Sequence, residues 1–463
     1  MAMITMIKKR DGRQVPFNIE KIANAIFKAA QTVGGKDYSE AMELADKVCQ
    51  QLSEEVIGRD PSVEEVQDMV ERVLVEQGHA KTAKAYILYR ADRTRAREMN
   101  STLMKIYEDL TFMSASDCDI KRENANIDGD TAMGTMLKYG SEGAKQFNEM
   151  YVLDPKHSQA HINGDIHIHD LDFLTLTTTC CQIDLLKLFH GGFSTGHGYL
   201  REPNDISSYA ALACIAIQSN QNDQHGGQSV PIFDYAMAEG VKKTFRRLYT
   251  TNLAKAVSFT LGIEDYTEVL EEFKLIAGDI AKEYGLYPSL QNNDEYKAKE
   301  WEIASAKYGD EFSHLQDRAE KLAESETDRA TYQAMEALIH NLNTMNSRAG
   351  AQNPFSSINY GTDTSPEGRM VIKNVMLAEE HGLGNGETPI FPIHIFKVKE
   401  GVNYNPGDPN YDLFKLAIRV SAKRMFPNFS FIDAPFNLQY YKPGDYHTEA
   451  AYMGCRTRVI GNI

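Results

Sequence analysis

The sequence predicts an α/β architecture, a barrel or a wound sheet, preceded by a small hairpin-and-helices domain. Three observations carry that expectation. The chain has 463 residues, beyond the size at which one hydrophobic core usually stops growing, so a large domain plus a smaller module is expected. An apolar fraction of 42% supplies a sizeable core. From about Asn100 onward, runs such as Asp165-Ile166-His167-Ile168-His169 and Pro392-Ile393-His394-Ile395-Phe396 read as strands. They alternate with helical segments such as Tyr209 to Ile217 and Leu413 to Lys423.

The first segment reads as a β-hairpin, because Ile4 to Lys8 and Gln14 to Phe17 flank Arg10-Asp11-Gly12-Arg13, and Asp-Gly is a strong tight-turn signal. Ile19, Ile22, Ala23, Ile26, Phe27 and Ala30 then share one helical face. Val66, Met69, Val70, Val73 and Leu74 repeat the pattern after a Ser62 to Glu65 capping box behind Pro61. A further helix from about Lys81 carries Tyr86, Tyr89 and Arg90. These elements make a first domain over 1–95, joined through a charged helical stretch to a second over 96–463. Residues 292–335 are long, charged and nearly free of glycine and proline, and are expected to form exposed helices decorating the core.

A formal net charge of −16 argues against a nucleic-acid coat, which needs clustered positive charge to track phosphates. Apolar stretches stop well short of the roughly 18 residues of a membrane span, and Met1 to Phe17 is charged where a signal peptide is apolar. The chain therefore reads as soluble and cytoplasmic. Its six cysteines, at 49, 118, 180, 181, 214 and 455, are irregularly spaced and form neither a disulfide framework nor a C-x-x-C metal pair.

Several groups could carry chemistry. Met453-Gly454-Cys455-Arg456-Thr457 sets a cysteine on a loop, a setting that suits radical chemistry. Cys180 and Cys181 are adjacent, and on a strand only one of them can face inward. Lys8, Lys9 and Arg10 at the hairpin turn, with Lys21 on the helix after it, form either a triphosphate site or a solvated basic edge. His167, His169 and Asp170 invite a metal reading, the two histidines sharing a strand face, but no third convergent ligand is identifiable. Arg348 and Gln352, in a polar glycine-containing stretch before a strand, are either a nucleotide contact or a satisfied turn. Gln224-His225-Gly226-Gly227-Gln228-Ser229 reads as another polar loop facing a nucleotide.

Two resemblances narrow these readings. Ile7-Lys8-Lys9-Arg10-Asp11-Gly12-Arg13, Val15-Pro16-Phe17 and Glu20-Lys21-Ile22, closed by Ala85-Tyr86-Ile87-Leu88-Tyr89-Arg90, resemble the ATP-cone, a regulatory nucleotide module. That resemblance implies ATP and dATP as allosteric effectors, with Lys8, Lys9, Arg10, Lys21 and Arg90 as the binding residues.

Asn124-Ala125-Asn126, Gly164 to Phe173, Asn346 to Gln352 with Pro354-Phe355-Ser356-Ser357, and Met453-Gly454-Cys455-Arg456 resemble the anaerobic, class III ribonucleoside-triphosphate reductases. The match spans nearly the whole chain. It implies a ten-stranded α/β barrel of the glycyl radical enzyme type, built from two five-stranded halves, with Cys455 on an internal finger loop. It also implies reduction of ribonucleoside triphosphates by a thiyl radical on Cys455. The second thiol belongs on the first barrel strand, where Thr179-Cys180 precedes Ile183-Asp184-Leu185, and Cys180 fits it by its distance from that run. The resemblance makes His167, His169 and Asp170 part of the active-site wall, with no metal held in these residues. Arg348 and Gln352 fall near substrate or effector.

Further implied are effector deoxynucleotides, a radical-SAM activating enzyme, a homodimer or higher homo-oligomer, and formate or thioredoxin as donor. The family keeps its radical on a glycine in an Arg-Val-Cys-Gly-Tyr-like loop well downstream of the finger, and a structural zinc on four cysteines. Arg458-Val459-Ile460-Gly461-Asn462 matches that loop superficially, but Gly461 follows Cys455 too closely and Ile460 replaces the cysteine. The glycine and the zinc cysteines are thus expected beyond Ile463, and these residues alone are expected not to turn over. A pyruvate formate-lyase-type enzyme, which pairs two cysteines at the finger tip, and a nucleotide-sensing repressor with a zinc ribbon fit less well.

Overall fold

The computed structural model describes residues 4–10, 12–113, 128–175, 178–309, 311–348, 350–455 and 457–459. The Asn124-Ala125-Asn126 motif, Cys118 and Gly461 lie outside these residues. The chain divides into two compact units, Met1–Phe112 with Glu142–His169, and Met113–Ser141 with Asp170–Ile463.

In the first unit, β1 (Met6–Lys8) pairs antiparallel with β2 (Gln14–Pro16), Ile7 opposite Val15. Gly12, at φ +82°, makes the turn that a side chain would resist. Then come α1 (Ile19–Thr32), α2 (Tyr38–Glu55), α3 (Val63–Glu76) and α4 (Ala80–Phe112). Asp37 caps α2 by accepting from Ser39 N, and at α3 the Ser62–Glu65 box closes in both directions, at 3.2 and 2.7 Å. Ile22, Ile26, Leu44, Val48, Leu52, Val70, Leu74 and Tyr86 are buried together as the core. Helix α4 runs without a break through residue 96.

After α5 (Ala132–Phe147) and α6 (Pro155–Ile162), the segment Asp165 to His169 forms no strand. Its amides are used elsewhere. Gly164 turns the chain at φ +80°, Asp165 N and Ile166 N return to Ala160 O, and Ile168 N donates to His161 Nδ1 at 3.2 Å. Alternation of side chains looked like a strand, but a helix end consumed the donors a ladder needs.

The second unit contains β3 (Thr178–Gln182), α7 (Leu185–Phe189), the short pair β4 (Phe193–Ser194) and β5 (Tyr199–Leu200), α8 (Ile206–Asn220) and β6 (Gln224–Val230). They are followed by α9 (Phe233–Leu261), α10 (Thr267–Tyr284), α11 (Asp294–Tyr308), α12 (Phe312–Thr344), β7 (Ser356–Tyr360) and α13 (Pro366–His381). Last come β8 (Ile393–Val398), α14 (Tyr411–Arg424), β9 (Asn428–Phe431), α15 (Pro435–Leu438), β10 (Ala451–Tyr452) and β11 (Arg458–Val459). One sheet, ordered β3-β6-β7-β8-β9, has every neighbouring pair parallel. Of the ten strands expected, the described residues thus contribute five to this sheet, the number in one half.

All residues of β7 and β8 are buried, as expected of a parallel sheet covered on both faces. Ile358, Tyr360, Phe396 and Val398 pack with Phe233, Met237, Val371, Val375 and Leu338 in the main core. The opposite face carries Ser229, Asn359 and Lys397, polar groups that find their partners in the segment ending at Cys455.

Two expectations are corrected here. Gln224 to Ser229 is the buried strand β6, and Gly227 belongs in it because a Cβ there would stand 3.0 Å from the Phe355 ring. Helix α12 is no surface decoration. Phe312, Ala319 and Ala323 pack with Phe245, Tyr249 and Phe273, while Ala334, Met335, Leu338 and Leu342 enter the main core. Small residues let this charged sequence lie close against its neighbours. No helix among the described residues is long and apolar enough to cross a membrane.

Candidate functional site

The segment bearing Cys455 is a narrow hairpin: β10 pairs with β11, Ala451 opposite Val459, and Met453 N donates to Thr457 O at 2.9 Å. Gly454 at its tip is required by proximity. A Cβ there would fall 2.3 Å from Ile393 Cδ1. Cys455 is exposed, and its Sγ lies 3.3 Å from Thr457 Oγ1.

Two sets of buried polar groups root this hairpin. Asn359 Oδ1 accepts from Tyr452 N at 2.9 Å, while its Nδ2 donates to Tyr452 O at 3.0 Å. Below it, the Glu449 carboxylate meets Lys397 Nζ at 3.2 Å, Lys399 Nζ at 2.9 Å and Thr362 Oγ1 at 2.8 Å. Burial works to raise the Glu449 carboxyl, but the two lysines and the hydroxyl outweigh it and hold the group below its ordinary range. The turn after β7 is fixed in turn by Asp234, whose Oδ2 accepts from the amides of Gly361, Thr362 and Asp363 at 2.8 to 3.1 Å.

Cys180 is placed by an irregularity in β3. The register with β6 shifts between Thr179 and Cys181, and Cys180 sits at φ +47°, in the left-handed region. Its Sγ accepts from Gly227 N at 3.3 Å, and Cys455 is near enough to act on it electrostatically. Burial raises the Cys180 thiol and the neighbouring Cys455 adds to the rise, against the lowering effect of the Gly227 amide. Cys181 is turned elsewhere, accepting from Asn220 Nδ2 of α8 at 2.8 Å. Simple pleat alternation would separate the two cysteines; here a bulge does so.

Beside them, Thr179 Oγ1 and His225 Nε2 share a hydrogen bond of 2.7 Å. The same nitrogen is 3.3 Å from Asp170 Oδ2, and Phe173 stacks on the His225 ring at 4.5 Å. His167 and His169 lie in the first unit, Nε2 to Nδ1 3.4 Å apart, whereas Asp170 belongs to the second. Among the described residues no group of three or more His, Cys, Asp or Glu could hold a metal ion. Arg348 bonds to Gln352 and donates to the carbonyls of Gln221 and Gln224 at 3.0 and 3.2 Å, tying the loop before β7 to the start of β6.

In the first unit, Lys8 N donates to Pro61 O at 2.9 Å, placing β1 along the start of α3. Arg10 pairs with Glu64 and donates to Gln67 Oε1 at 3.0 Å, while Arg90 pairs with Asp68 and Glu71. Both arginines therefore border α3. Lys8 and Lys21 are exposed and Lys9 is half-buried.

Sequence reasoning singled out both cysteines but not Asn359, Glu449, Lys397 and Asp234, which the structure places around the finger. A signal was present: Asn359 stands between Ile358 and Tyr360 and Lys397 between Phe396 and Val398, and polar side chains so flanked need buried partners.

Residues 123–462 match the family model described as anaerobic ribonucleoside-triphosphate reductase, and residues 5–95 match the ATP cone domain. The anaerobic ribonucleoside-triphosphate reductase of Salmonella typhimurium is 28% identical over 458 residues, covering 98% of this chain and 54% of that protein. The enzyme of that name from Enterobacteria phage T4 is 28% identical over 320 residues, covering 67% of this chain and 42% of its own length. A vitamin B12-dependent ribonucleoside-diphosphate reductase of Thermoplasma acidophilum is 42% identical over 113 residues, 23% of this chain and 14% of that one. The chain spans about half the length of the curated relatives it matches most fully. A solved anaerobic ribonucleotide reductase from Thermotoga maritima, in complex with dATP and CTP, aligns at TM-score 0.41 and 13% identity, covering 74% of this chain and 50% of that one.

Proposed function

Because the chain belongs to the anaerobic ribonucleoside-triphosphate reductase family, we propose that it carries the substrate-reducing half-site of such an enzyme, with Cys455 and Cys180 as its two thiols. The observation that supports this is their nearness: a cysteine at the tip of a finger hairpin and one on the first strand of the sheet lie close enough for the first to raise the thiol of the second. The family's glycyl radical supplies the unpaired electron. What these residues do is hold a thiyl at Cys455 Sγ, which takes the 3′ hydrogen of a ribose, so that the 2′ hydroxyl can leave as water. Cys180 then gives its hydrogen to C2′ of the substrate radical, the donor supplies the electrons that complete the reduction, and Cys455 returns a hydrogen to C3′ and is a thiyl again. Two reducing equivalents per turnover come from formate or a thioredoxin dithiol.

The polar wall made by Asp170, His225 and Thr179 adjoins Cys180 and offers contacts for the sugar hydroxyls. Arg348 and Gln352 order the loop near substrate or effector. Lys8, Lys9, Arg10, Lys21 and Arg90 bind the phosphates of ATP or dATP in the cone and adjust activity, each effector favouring a different state. A cytoplasmic homo-oligomer served by a radical-SAM activating enzyme, with deoxynucleotides setting substrate choice, completes the reading.

The test supplies the full-length gene product and its activating enzyme, without oxygen, with CTP, ATP and formate or reduced thioredoxin. We expect dCTP. Absence of product with either donor overturns the assignment. Cys455→Ala and Cys180→Ala should each abolish product while Cys181→Ala retains it; a dead Cys181 variant beside a live Cys180 variant reverses the choice of second thiol.

A further inference from the structure

We infer that Asn359 is a positioning residue that latches the finger backbone and thereby sets the Cys455 thiol beside Cys180, an inference that rests on the two-thiol reading above. Tyr452 stands three residues before Cys455 and is the last strand residue before the tip. Both of its backbone groups are engaged by one side chain, N to Asn359 Oδ1 at 2.9 Å and O from Asn359 Nδ2 at 3.0 Å. Ser229 Oγ donates to the same carbonyl at 3.0 Å. The finger pairs with no strand of the five-stranded sheet among the described residues, so this amide does for one residue what a ladder does along a strand.

The latch is itself held. Asn359 is fully buried on β7, and its Nδ2 also lies 2.9 Å from Ser229 Oγ and 3.3 Å from Val230 O on the neighbouring strand. An amide has two hydrogens, so Tyr452 O and β6 together use its full donor capacity. The same strand continues to Gly226 and Gly227, which border the Cys180 sulfur. One side chain therefore connects the backbone that aims Cys455 to the strand that aims Cys180. The Tyr452 hydroxyl, by contrast, donates outward to Asn437 Oδ1 at 3.0 Å and takes no part in the connection.

The thiols provide a ruler that needs no turnover. Diamide accepts one hydrogen from each of Cys180 and Cys455, is reduced to the hydrazine, and leaves a disulfide between them. The reduced chain is treated with substoichiometric diamide near pH 8, quenched with an alkylating agent, and the Cys180–Cys455 peptide is measured by mass spectrometry at equal folded fraction. We expect this pair to be the main product in the unaltered protein, at least fivefold lower in Asn359→Ala, and unchanged in Tyr452→Phe. A wild-type yield in Asn359→Ala overturns the inference, as does an equal loss in Tyr452→Phe. If Asn359→Ala does not fold, Ser229→Ala decides: it removes one donor to Tyr452 O, and an unaltered yield counts against the latch. Failure of the unaltered protein to form the pair also defeats the inference, while the reductase assignment, read by dCTP formation, is judged separately.

Discussion

The Cys180 sulfur occupies the space that a side chain on Gly226 would need: a Cβ built on that glycine falls 2.9 Å from Sγ. The glycine also sits at φ +84°, a conformation L side chains resist. Both restrictions arise where β3 slips its register against β6.

Gly226→Ala is therefore expected to displace the Cys180 thiol and to cost about 1–2 kcal/mol from backbone strain alone. Thermal unfolding reads the cost, and thiol labelling of Cys180 reads the displacement. An alanine variant with the parent's stability and labelling rate would show that β3 and β6 have room to spare.

At the finger tip the constraint is a contact with one side chain. Gly454→Ala would drive a methyl into Ile393, which is nearly buried and touches it through Cδ1, Cγ1 and Cβ. We expect destabilisation of about 1–3 kcal/mol from overpacking, largely relieved in the double variant Gly454→Ala with Ile393→Val. The coupling is measured by a double-mutant cycle in urea; additive effects would place the strain elsewhere.

Glu449 stands between two lysines, and Lys397 is almost wholly buried beside it. Removing the carboxylate leaves that ammonium without its counter-charge, so Glu449→Ala should cost about 3–5 kcal/mol. Because the folded carboxyl is held below its ordinary value, its contribution is present above about pH 4.3 and is lost as pH falls through the lower folded value. Acid unfolding of the parent should accordingly be steeper than that of Glu449→Gln.

Behind the sheet, His394 on β8 lies between Tyr360 and Glu379, with Tyr360 Oη 2.9 Å from Nδ1 and Glu379 Oε2 3.6 Å from Nε2. Burial pushes the Glu379 carboxyl up to about 8, somewhat eased by Arg424, and pushes the His394 imidazole down to about 3. Both shifts favour the neutral forms of the couple. The raised Glu379 favours the folded state below about pH 4.3 and loses that contribution as pH climbs to about 8, while the depressed His394 works the other way up to about pH 6.5. Stability should thus decline between about pH 6.5 and 8, and Glu379→Gln should flatten that decline in denaturant titrations at several pH values.

In the cone, Lys9→Ala and Lys21→Ala are expected to abolish dATP binding without unfolding the unit, since neither side chain belongs to its core. Arg10 and Arg90 engage acids of α3 through partly exposed pairs, so their removal should alter stability by no more than about 1 kcal/mol. Calorimetric titration with dATP checks the first statement, and unchanged isotherms in both lysine variants would remove the cone cations from the nucleotide site.

What could be read in advance was local. The capping box at Ser62 and Glu65, the Asp-Gly turn and the apolar period of α1 and α3 are short-range signals, and each fixes its own segment. Cys455 and Cys180 stood out because their neighbours form recognisable runs. The bulge at Cys180 was invisible, since it depends on which strand lies alongside. The strand-like pattern at Asp165 to His169 failed because a helix end took its amides first. Helix α12 was misjudged because alanine and threonine can face a core as well as solvent, and only its neighbours decide.

The hydrogen bonds that join Asn359 and Ser229 to Tyr452 use only main-chain atoms of Tyr452. Such bonds are blind to side-chain identity. The hold on position 452 therefore survives any side chain placed there, whereas Asn359 and Ser229, which make it, must keep theirs.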